Sequence, residues 1–120
     1  MRWRWLLAAA VVVQLLVLYF PLSGPGGGLP GVDKIVHAAV FGAVAFTGRR
    51  ARVPLLPLVA LLVAHAVVSE VVQATLLTAR DGDPWDAVAD VAGTALGAWL
   101  AGFVDRKGPA PLARGADPGR

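Results

Sequence analysis

Four apolar stretches alternate with short polar segments along the chain, at about residues 5–21, 33–48, 54–76 and 84–104. A membrane-spanning helix needs about 20 predominantly apolar residues, because each residue adds only about 1.5 Å along the helix axis. Three of the stretches approach this length. The second is shorter and can span the membrane only if its polar start lies at the membrane interface. The pattern predicts an all-α integral membrane bundle of four transmembrane helices.

Local signals mark where these stretches begin and end. Asp33 opens the second stretch and Asp83 precedes the fourth, each as a candidate N-cap, and Pro84 suits a first helical position. Residues 23–31, SGPGGGLPG, contain too much Gly and Pro for regular structure. We therefore expect one transmembrane domain over residues 1–104, followed by a disordered basic cytoplasmic tail over residues 105–120.

The first stretch has two interpretations. Arg2 and Arg4 precede an apolar run that Pro21 closes, which fits both a secretory signal peptide and a retained helix. No clear small-x-small cleavage site follows the run, and Trp5 and Tyr19 lie near its ends, where aromatic belts form. We expect a retained helix, with a cleaved signal peptide as the alternative.

Composition supports a membrane protein and excludes several other classes. Hydrophobic residues make up 57% of the chain, against about 45–50% in soluble domains even when glycine is counted. The absence of cysteine excludes disulfides, thiolate metal sites and cysteine nucleophiles. The net charge of +3 does not indicate a nucleic-acid partner, because the basic residues flank the apolar runs. The expected partner is the lipid bilayer.

The distribution of charge predicts the orientation of the helices. If the N-terminus is cytoplasmic and the stretches alternate, nine Lys and Arg residues fall inside and two, Lys34 and Arg80, fall outside. This asymmetry satisfies the positive-inside rule. Asp105 and Asp117 are then the acids on the inside, and the other six acidic residues lie outside or in the outer half of the membrane. We expect both termini in the cytoplasm.

Polar residues within the apolar stretches define a candidate site near the outer face. Charged groups in these surroundings are costly unless they are paired, hydrogen-bonded or functional. The predicted binding residues are Lys34, His37, Glu70, Gln73, Arg80, Asp86 and Asp90. Glu70 and His37 are also candidates for catalysis. A structural ion-pair network that only holds the helices together is the alternative.

The fourth stretch carries these carboxylates and two glycines on one face. Asp86, Asp90, Gly93 and Gly97 follow one another at i, i+4, i+7 and i+11. The Gly93-x-x-x-Gly97 motif predicts close helix packing. The residue types at the site suit a divalent cation. No H-x-x-x-H or H-E-x-x-H spacing supports one, and we expect neither a metal nor a cofactor.

In chain order, these positions resemble the VanZ-like family, which is named for a teicoplanin-resistance accessory protein of Gram-positive bacteria. The resemblance covers about residues 32–104 and rests on Asp33-Lys34-x-x-His37, Glu70-x-x-Gln73, Arg80 and Asp86-x-x-x-Asp90-x-x-Gly93-x-x-x-Gly97. It implies a small multi-pass protein of the bacterial plasma membrane, without a settled reaction. The family usually has Asn where this chain has Asp90, so the site here is more acidic.

From the site and the resemblance together, we expect an outward-facing polar pocket that binds a cell-envelope component or contributes to glycopeptide resistance. The ligand would be a lipid-linked precursor, a peptidoglycan fragment or a glycopeptide. One alternative is a membrane-embedded enzyme, with Glu70 or His37 as general base and Arg80 stabilising negative charge. The other is a scaffold whose polar residues only lock helix packing.

Overall fold

The computed structural model describes residues 1–20, 29, 31–77 and 82–108, and all regular structure within these ranges is α-helical. The four helices of this part are α1 (Arg2–Tyr19), α2 (Val32–Arg50), α3 (Leu55–Thr75) and α4 (Pro84–Lys107). The prediction of an all-helical fold with four helices is confirmed for the described residues. The predicted loop at 23–31, except for residues 29 and 31, lies outside them, as do Arg80 and the tail from residue 109.

Three helices of the described chain, α1, α3 and α4, are long and apolar enough to cross a membrane. Helix α2 is similar in length, but Asp33 and Lys34 near its start and Arg49 and Arg50 at its end add charge. Large apolar side chains such as Leu56 are exposed on the outside of the bundle. Exposed apolar surface on this scale suits a lipid environment, and these features are consistent with a membrane protein.

Successive helices run in opposite directions, so the helix ends form two groups. At one end, Trp3 of α1 packs against Phe46 of α2, with ring centroids 5.9 Å apart. Arg50 lies 4.8 Å above the Trp3 ring and forms an ion pair with Asp105 near the end of α4. We call this the basic end, formed by Arg49, Arg50, Arg52, Arg106 and Lys107. The acidic end comprises the start of α2, the end of α3 and the start of α4.

Helices α2 and α4 make the most extensive contact of the bundle. A Cβ atom added at Gly93 would overlap the carbonyl oxygen of Ala38, and one added at Gly97 would overlap that of Gly42. The two glycines therefore allow the two backbones to approach one another directly, as small residues do between membrane helices. This close approach brings the polar side chains at the acidic end of α4 against α2.

An apolar core lies beside this contact, between α1, α2 and α3. Its buried members are Leu18, Phe41, Val44, Ala45, Leu58, Leu62 and Ala66. Helices α2 and α3 each contact all three other helices, whereas the backbones of α1 and α4 do not approach one another closely among the described residues. The core therefore fixes α1 and α3 against α2, and the small-residue contact fixes α4 on the other side.

The helix starts at the acidic end differ from the predicted capping in one case. The cap of α2 is Gly31, whose φ of 87° is a left-handed conformation that glycine adopts readily, so the assignment of Asp33 as N-cap is wrong. Asp33 lies in the first turn, where a negative charge favours the helix dipole. The predicted cap of α4 is confirmed, because the Asp83 carboxylate accepts a hydrogen bond of 3.0 Å from the Trp85 backbone N–H.

The helix boundaries otherwise lie close to the predicted ones, and the largest differences are three residues. Helix α1 begins at Arg2 instead of residue 5. Helix α4 continues to Lys107 instead of ending at residue 104, so the first residues of the predicted tail are helical. Charged residues at helix ends account for both extensions, since an apolar pattern alone does not include them.

Candidate functional site

Titratable side chains from three helices meet at the acidic end of the bundle. We call this group the polar cluster, and its described members are Asp33, Lys34, His37, Glu70, Asp83, Asp86 and Asp90. The first three are on α2, Glu70 is on α3, and the last three are at or near the start of α4. Such a concentration of carboxylates between helices is the most unusual chemical feature of the described chain.

His37 lies at the centre of the polar cluster and is fully buried. Its Nδ1 atom lies 2.9 Å from Oδ1 of Asp90, which is also fully buried. An ionised carboxylate accepts the hydrogen of Nδ1, so a neutral imidazole then carries its lone pair on Nε2. The next residue of α2, Ala38, is the one against which Gly93 packs. The helix contact and the His37–Asp90 hydrogen bond are therefore parts of one interface.

The other ring nitrogen of His37 faces two more carboxylates. Its Nε2 atom lies 3.8 Å from Oδ2 of Asp86 and 3.9 Å from Oδ1 of Asp33. Both distances are too long for hydrogen bonds, and Nε2 has no hydrogen-bond partner in the described part of the chain. The Asp86 side chain is 4% exposed and the Asp33 side chain 61% exposed. The cluster thus extends from the buried imidazole to the surface.

Glu70 joins the polar cluster from α3. Its Oε2 atom accepts a hydrogen bond of 3.1 Å from the backbone N–H of Asp83, which ties the end of α3 to the start of α4. One of its carboxylate oxygens also lies within 4.8 Å of ligand atoms of His37 and Asp90. The second oxygen of Glu70, Oε1, is buried without a hydrogen-bond partner among residues 1–20, 29, 31–77 and 82–108.

Lys34 is the lysine of the polar cluster. Its Nζ atom donates a hydrogen bond of 2.7 Å to Oδ2 of Asp83 and lies 3.4 Å from Oδ1 of Asp86. The hydrogen bond from Lys34 is the main reason that the pKa of the Asp83 carboxyl is lowered from its usual value. The described cluster sets five carboxyl groups against one lysine and one histidine, so its acidic groups outnumber its basic ones.

The structure brings together five of the seven predicted binding residues: Lys34, His37, Glu70, Asp86 and Asp90. Gln73 is used elsewhere, because its Nε2 atom donates a hydrogen bond of 2.9 Å to the carbonyl oxygen of Leu18 near the end of α1. Arg80 lies outside the described residues, so the structure does not place it.

Two members of the polar cluster, Asp33 and Asp83, are absent from the predicted site. Sequence reasoning assigns both to helix capping, and Asp83 in fact combines its cap with the ion pair to Lys34. The i, i+4 spacing of Asp33 and His37 is a signal that places both side chains on one face of α2. The partnership of Asp83 with Lys34 carries no such local signal, because it joins residues 49 apart in the chain.

The second histidine has a separate environment between α1, α2 and α3. The Nε2 atom of His65 lies 3.1 Å from the Tyr19 hydroxyl oxygen, and its ring centroid lies 5.6 Å from that of Phe41. These contacts join three helices and involve no carboxylate. His65 is therefore accounted for by helix packing.

The fold and the polar cluster define the class of the protein. The chain is a helical protein with three helices suited to a membrane, and a cluster rich in carboxyl groups surrounds a buried imidazole at one end of its described bundle. Comparisons of the chain with family models, with curated proteins and with solved structures gave no match. Function therefore rests on the geometry of the polar cluster.

Proposed function

We propose that the chain is a VanZ-like integral membrane protein of the bacterial plasma membrane, with four spanning helices and both termini in the cytoplasm. The separation of the basic end from the acidic end supports this orientation, since basic residues are retained on the cytoplasmic side. The charges of α2 are confined to its first and last turns, so its apolar middle crosses the bilayer while those charges lie at the two interfaces. The polar cluster then opens to the outer face.

In this orientation the polar cluster binds a cell-envelope component. The observation that carries the proposal is the row of carboxylates from the exposed Asp33 to the buried Asp86 and Asp90. Oδ2 of Asp90 lacks a hydrogen-bond partner in the described chain. Buried polar atoms without partners are costly, and a ligand that satisfies them gains that energy. The excess of carboxylates selects an ammonium group, such as an amine of a peptidoglycan peptide or of a glycopeptide.

The test is binding of a fluorescent lipid-linked peptidoglycan precursor, and separately of teicoplanin, to the purified protein in lipid nanodiscs. Asp86→Asn and Glu70→Gln remove charge with little change of shape, and we expect each to weaken binding at least about tenfold, because each removes a charge-assisted contact. Asp105→Asn is the matched control, since it makes the same change at the basic end. Unchanged affinity in both variants, with normal insertion, contradicts the proposal.

A second candidate function is catalysis on an envelope substrate. The observation that favours it is the 2.9 Å hydrogen bond between Asp90 and Nδ1 of His37, which orients the ring and directs Nε2 away as a potential general base. Incubation of the purified protein with a radiolabelled lipid-linked precursor tests this directly. Turnover that disappears in His37→Gln supports catalysis, whereas binding without turnover in the unmodified protein contradicts it.

A further inference from the structure

In the polar cluster, Nε2 of His37 is oriented as an acceptor for a positively charged ligand. Asp90 occupies Nδ1 of His37 at 2.9 Å, and the lone pair of a neutral ring then resides on Nε2. Metal-binding histidines almost always donate their second ring N–H to a carboxylate, a carbonyl or a water, because this fixes the tautomer and the ring orientation. Asp90 and His37 have this relationship, with both side chains buried.

Two carboxylate oxygens lie on the open side of the ring. They are Oδ2 of Asp86 at 3.8 Å and Oδ1 of Asp33 at 3.9 Å from Nε2, and ligand atoms of the three residues lie within 4.8 Å of one another. Ligand atoms bound at about 2.1 Å to one divalent cation are roughly 3.0–3.4 Å apart, depending on geometry. The three atoms need to move inward by less than one ångström to share a cation.

An unsatisfied buried atom supplies independent evidence for a ligand at this place. Nε2 of His37 has no hydrogen-bond partner in the described part of the chain, although the His37 side chain is only 1% exposed. A protonated imidazole would add one charge, but its Nε2–H would remain too far from either carboxylate for a hydrogen bond. A divalent cation compensates two carboxylates and uses the lone pair as well.

We propose that the polar cluster is a divalent-cation site in which Nε2 of His37 and the carboxylates of Asp86 and Asp33 are the protein ligands. Asp90 positions the imidazole and is not itself a ligand. One imidazole with carboxylates and no thiolate suits a cation such as Mn²⁺ or Zn²⁺. Lys34 approaches Asp86 at Oδ1 and leaves Oδ2 for the cation.

Access and charge are consistent with this site. Asp33, itself a proposed ligand, is 61% exposed, so the site reaches the surface of the bundle. The site departs from the expectation of no metal, which rested on the absence of paired-histidine motifs. Its ligands instead combine an i, i+4 pair on α2 with one carboxylate of α4, and only the fold brings these together. Cation binding does not depend on the envelope ligand proposed above.

The test uses the full chain in detergent, stripped with EDTA and titrated with Mn²⁺ while free Mn²⁺ is measured by electron paramagnetic resonance. We expect one equivalent to bind, and Zn²⁺ to displace it. Asp33→Asn removes an exposed ligand at little risk to folding, and His37→Gln removes the central one. Each should weaken Mn²⁺ binding at least about tenfold, because even the loss of a residue that is only hydrogen-bonded to a metal ligand lowers metal affinity by about this factor.

Asp105→Asn is the matched control, since Asp105 is likewise an exposed helical carboxylate, at 51% side-chain exposure against 61% for Asp33. It should leave Mn²⁺ affinity unchanged. Absence of stoichiometric binding to the unmodified chain overturns the proposal, as does equal affinity in Asp33→Asn and the unmodified chain. The titration contains no envelope ligand, so its failure leaves the proposed function standing, and failure of the envelope-binding test leaves the cation site standing.

Discussion

Asp90 is the residue on which the orientation of the buried imidazole depends. Asp90→Ala removes the acceptor of the 2.9 Å hydrogen bond and leaves Nδ1 of His37 as a buried donor, which costs about 1–3 kcal/mol. Asp90→Asn keeps an oxygen at the same place and should recover most of this loss. We expect the free energy of unfolding in mixed micelles to fall in the order unmodified, Asn, Ala.

The same pair of variants distinguishes the effect of the Asp90 hydrogen bond from the effect of its negative charge. Asn removes the negative charge and retains the hydrogen bond, so it should weaken Mn²⁺ binding while it preserves the fold. Equal stability of Asp90→Ala and Asp90→Asn would contradict the role of the hydrogen bond in holding the ring.

Gln73 is a predicted binding residue whose hydrogen bond lies outside the polar cluster. Its amide donates to the Leu18 carbonyl and fixes the end of α1 against α3. Gln73→Leu should lower the free energy of unfolding by about 1 kcal/mol, the usual net value of one hydrogen bond. Binding of Mn²⁺ and of envelope ligands should not change. Thr75→Val is the control, because the Thr75 hydroxyl donates a hydrogen bond within its own helix, to the Val71 carbonyl. A loss of ligand affinity in Gln73→Leu would contradict this prediction and show that Gln73 belongs to the binding site.

A site residue could be predicted from the sequence where placing its side chain in an apolar stretch costs free energy. A carboxylate such as Asp90 in an apolar stretch is expensive wherever it lies, so its residue type and position suffice to select it. Gln73 is likewise a polar residue in an apolar stretch, but its partner is the Leu18 carbonyl, because a side-chain amide can donate its hydrogen bond to a backbone carbonyl as well as to a carboxylate. Which group each polar residue meets depends on the register between helices, and a single sequence does not specify that register.

At the scale of the helices, the contact between α2 and α4 decides whether the polar cluster forms. Gly93→Ala places a methyl group against the Ala38 carbonyl oxygen, which is backbone and cannot rotate away. Overpacking of this kind costs about 1–3 kcal/mol. We expect unfolding at lower denaturant concentration and weaker Mn²⁺ binding, since separation of the helices moves Asp86 away from His37.

Gly102→Ala supplies the matched control within the same helix. A Cβ atom at Gly102 meets nothing within 4 Å, and alanine is the better helix former by up to about 1 kcal/mol. This variant should be as stable as the unmodified chain or more so. A Gly93→Ala protein that is equally stable would show that the two backbones are not in direct contact.

Helix positions were largely predictable, because long apolar stretches and the Asp83–Pro84 start are local signals. The start of α2 was not, since the sequence points to Asp33 as the cap, whereas the helix begins at Val32, after Gly31 in a left-handed conformation. The pairing of α4 with α2 was also open. The Gly93-x-x-x-Gly97 motif indicates a close contact but does not say which helix lies opposite.

At the scale of the whole molecule, charge divides the bundle into a basic and an acidic end. The antiparallel order of the helices follows from contacts at both ends, such as that of Trp3 with Phe46 and that of Lys34 with Asp86. The order alone does not say which end faces the cytoplasm or whether the charged helix α2 crosses the membrane with the other three. Both questions can be answered by one labelling experiment.

The chain contains no cysteine, so single cysteines can be introduced without background labelling. Val32→Cys and Trp85→Cys lie at exposed positions of the acidic end, and Arg52→Cys and Lys107→Cys lie at exposed positions of the basic end. A membrane-impermeant maleimide applied to intact cells should label the first two and reach the other two only after permeabilisation. This follows from the positive-inside rule, which keeps the basic end in the cytoplasm.

The result for α2 is decided by Val32→Cys and Arg52→Cys, which flank it. Opposite sides for these two mean that α2 spans the bilayer, and its charges then lie at the two interfaces. The same side for both would reduce the bundle to three spans and place Lys107 on the opposite side from the chain start. His37 of α2 would then lie on the opposite side of the membrane from Asp86 at the start of α4, so the polar cluster would not form, and neither the envelope ligand nor the cation would have its site.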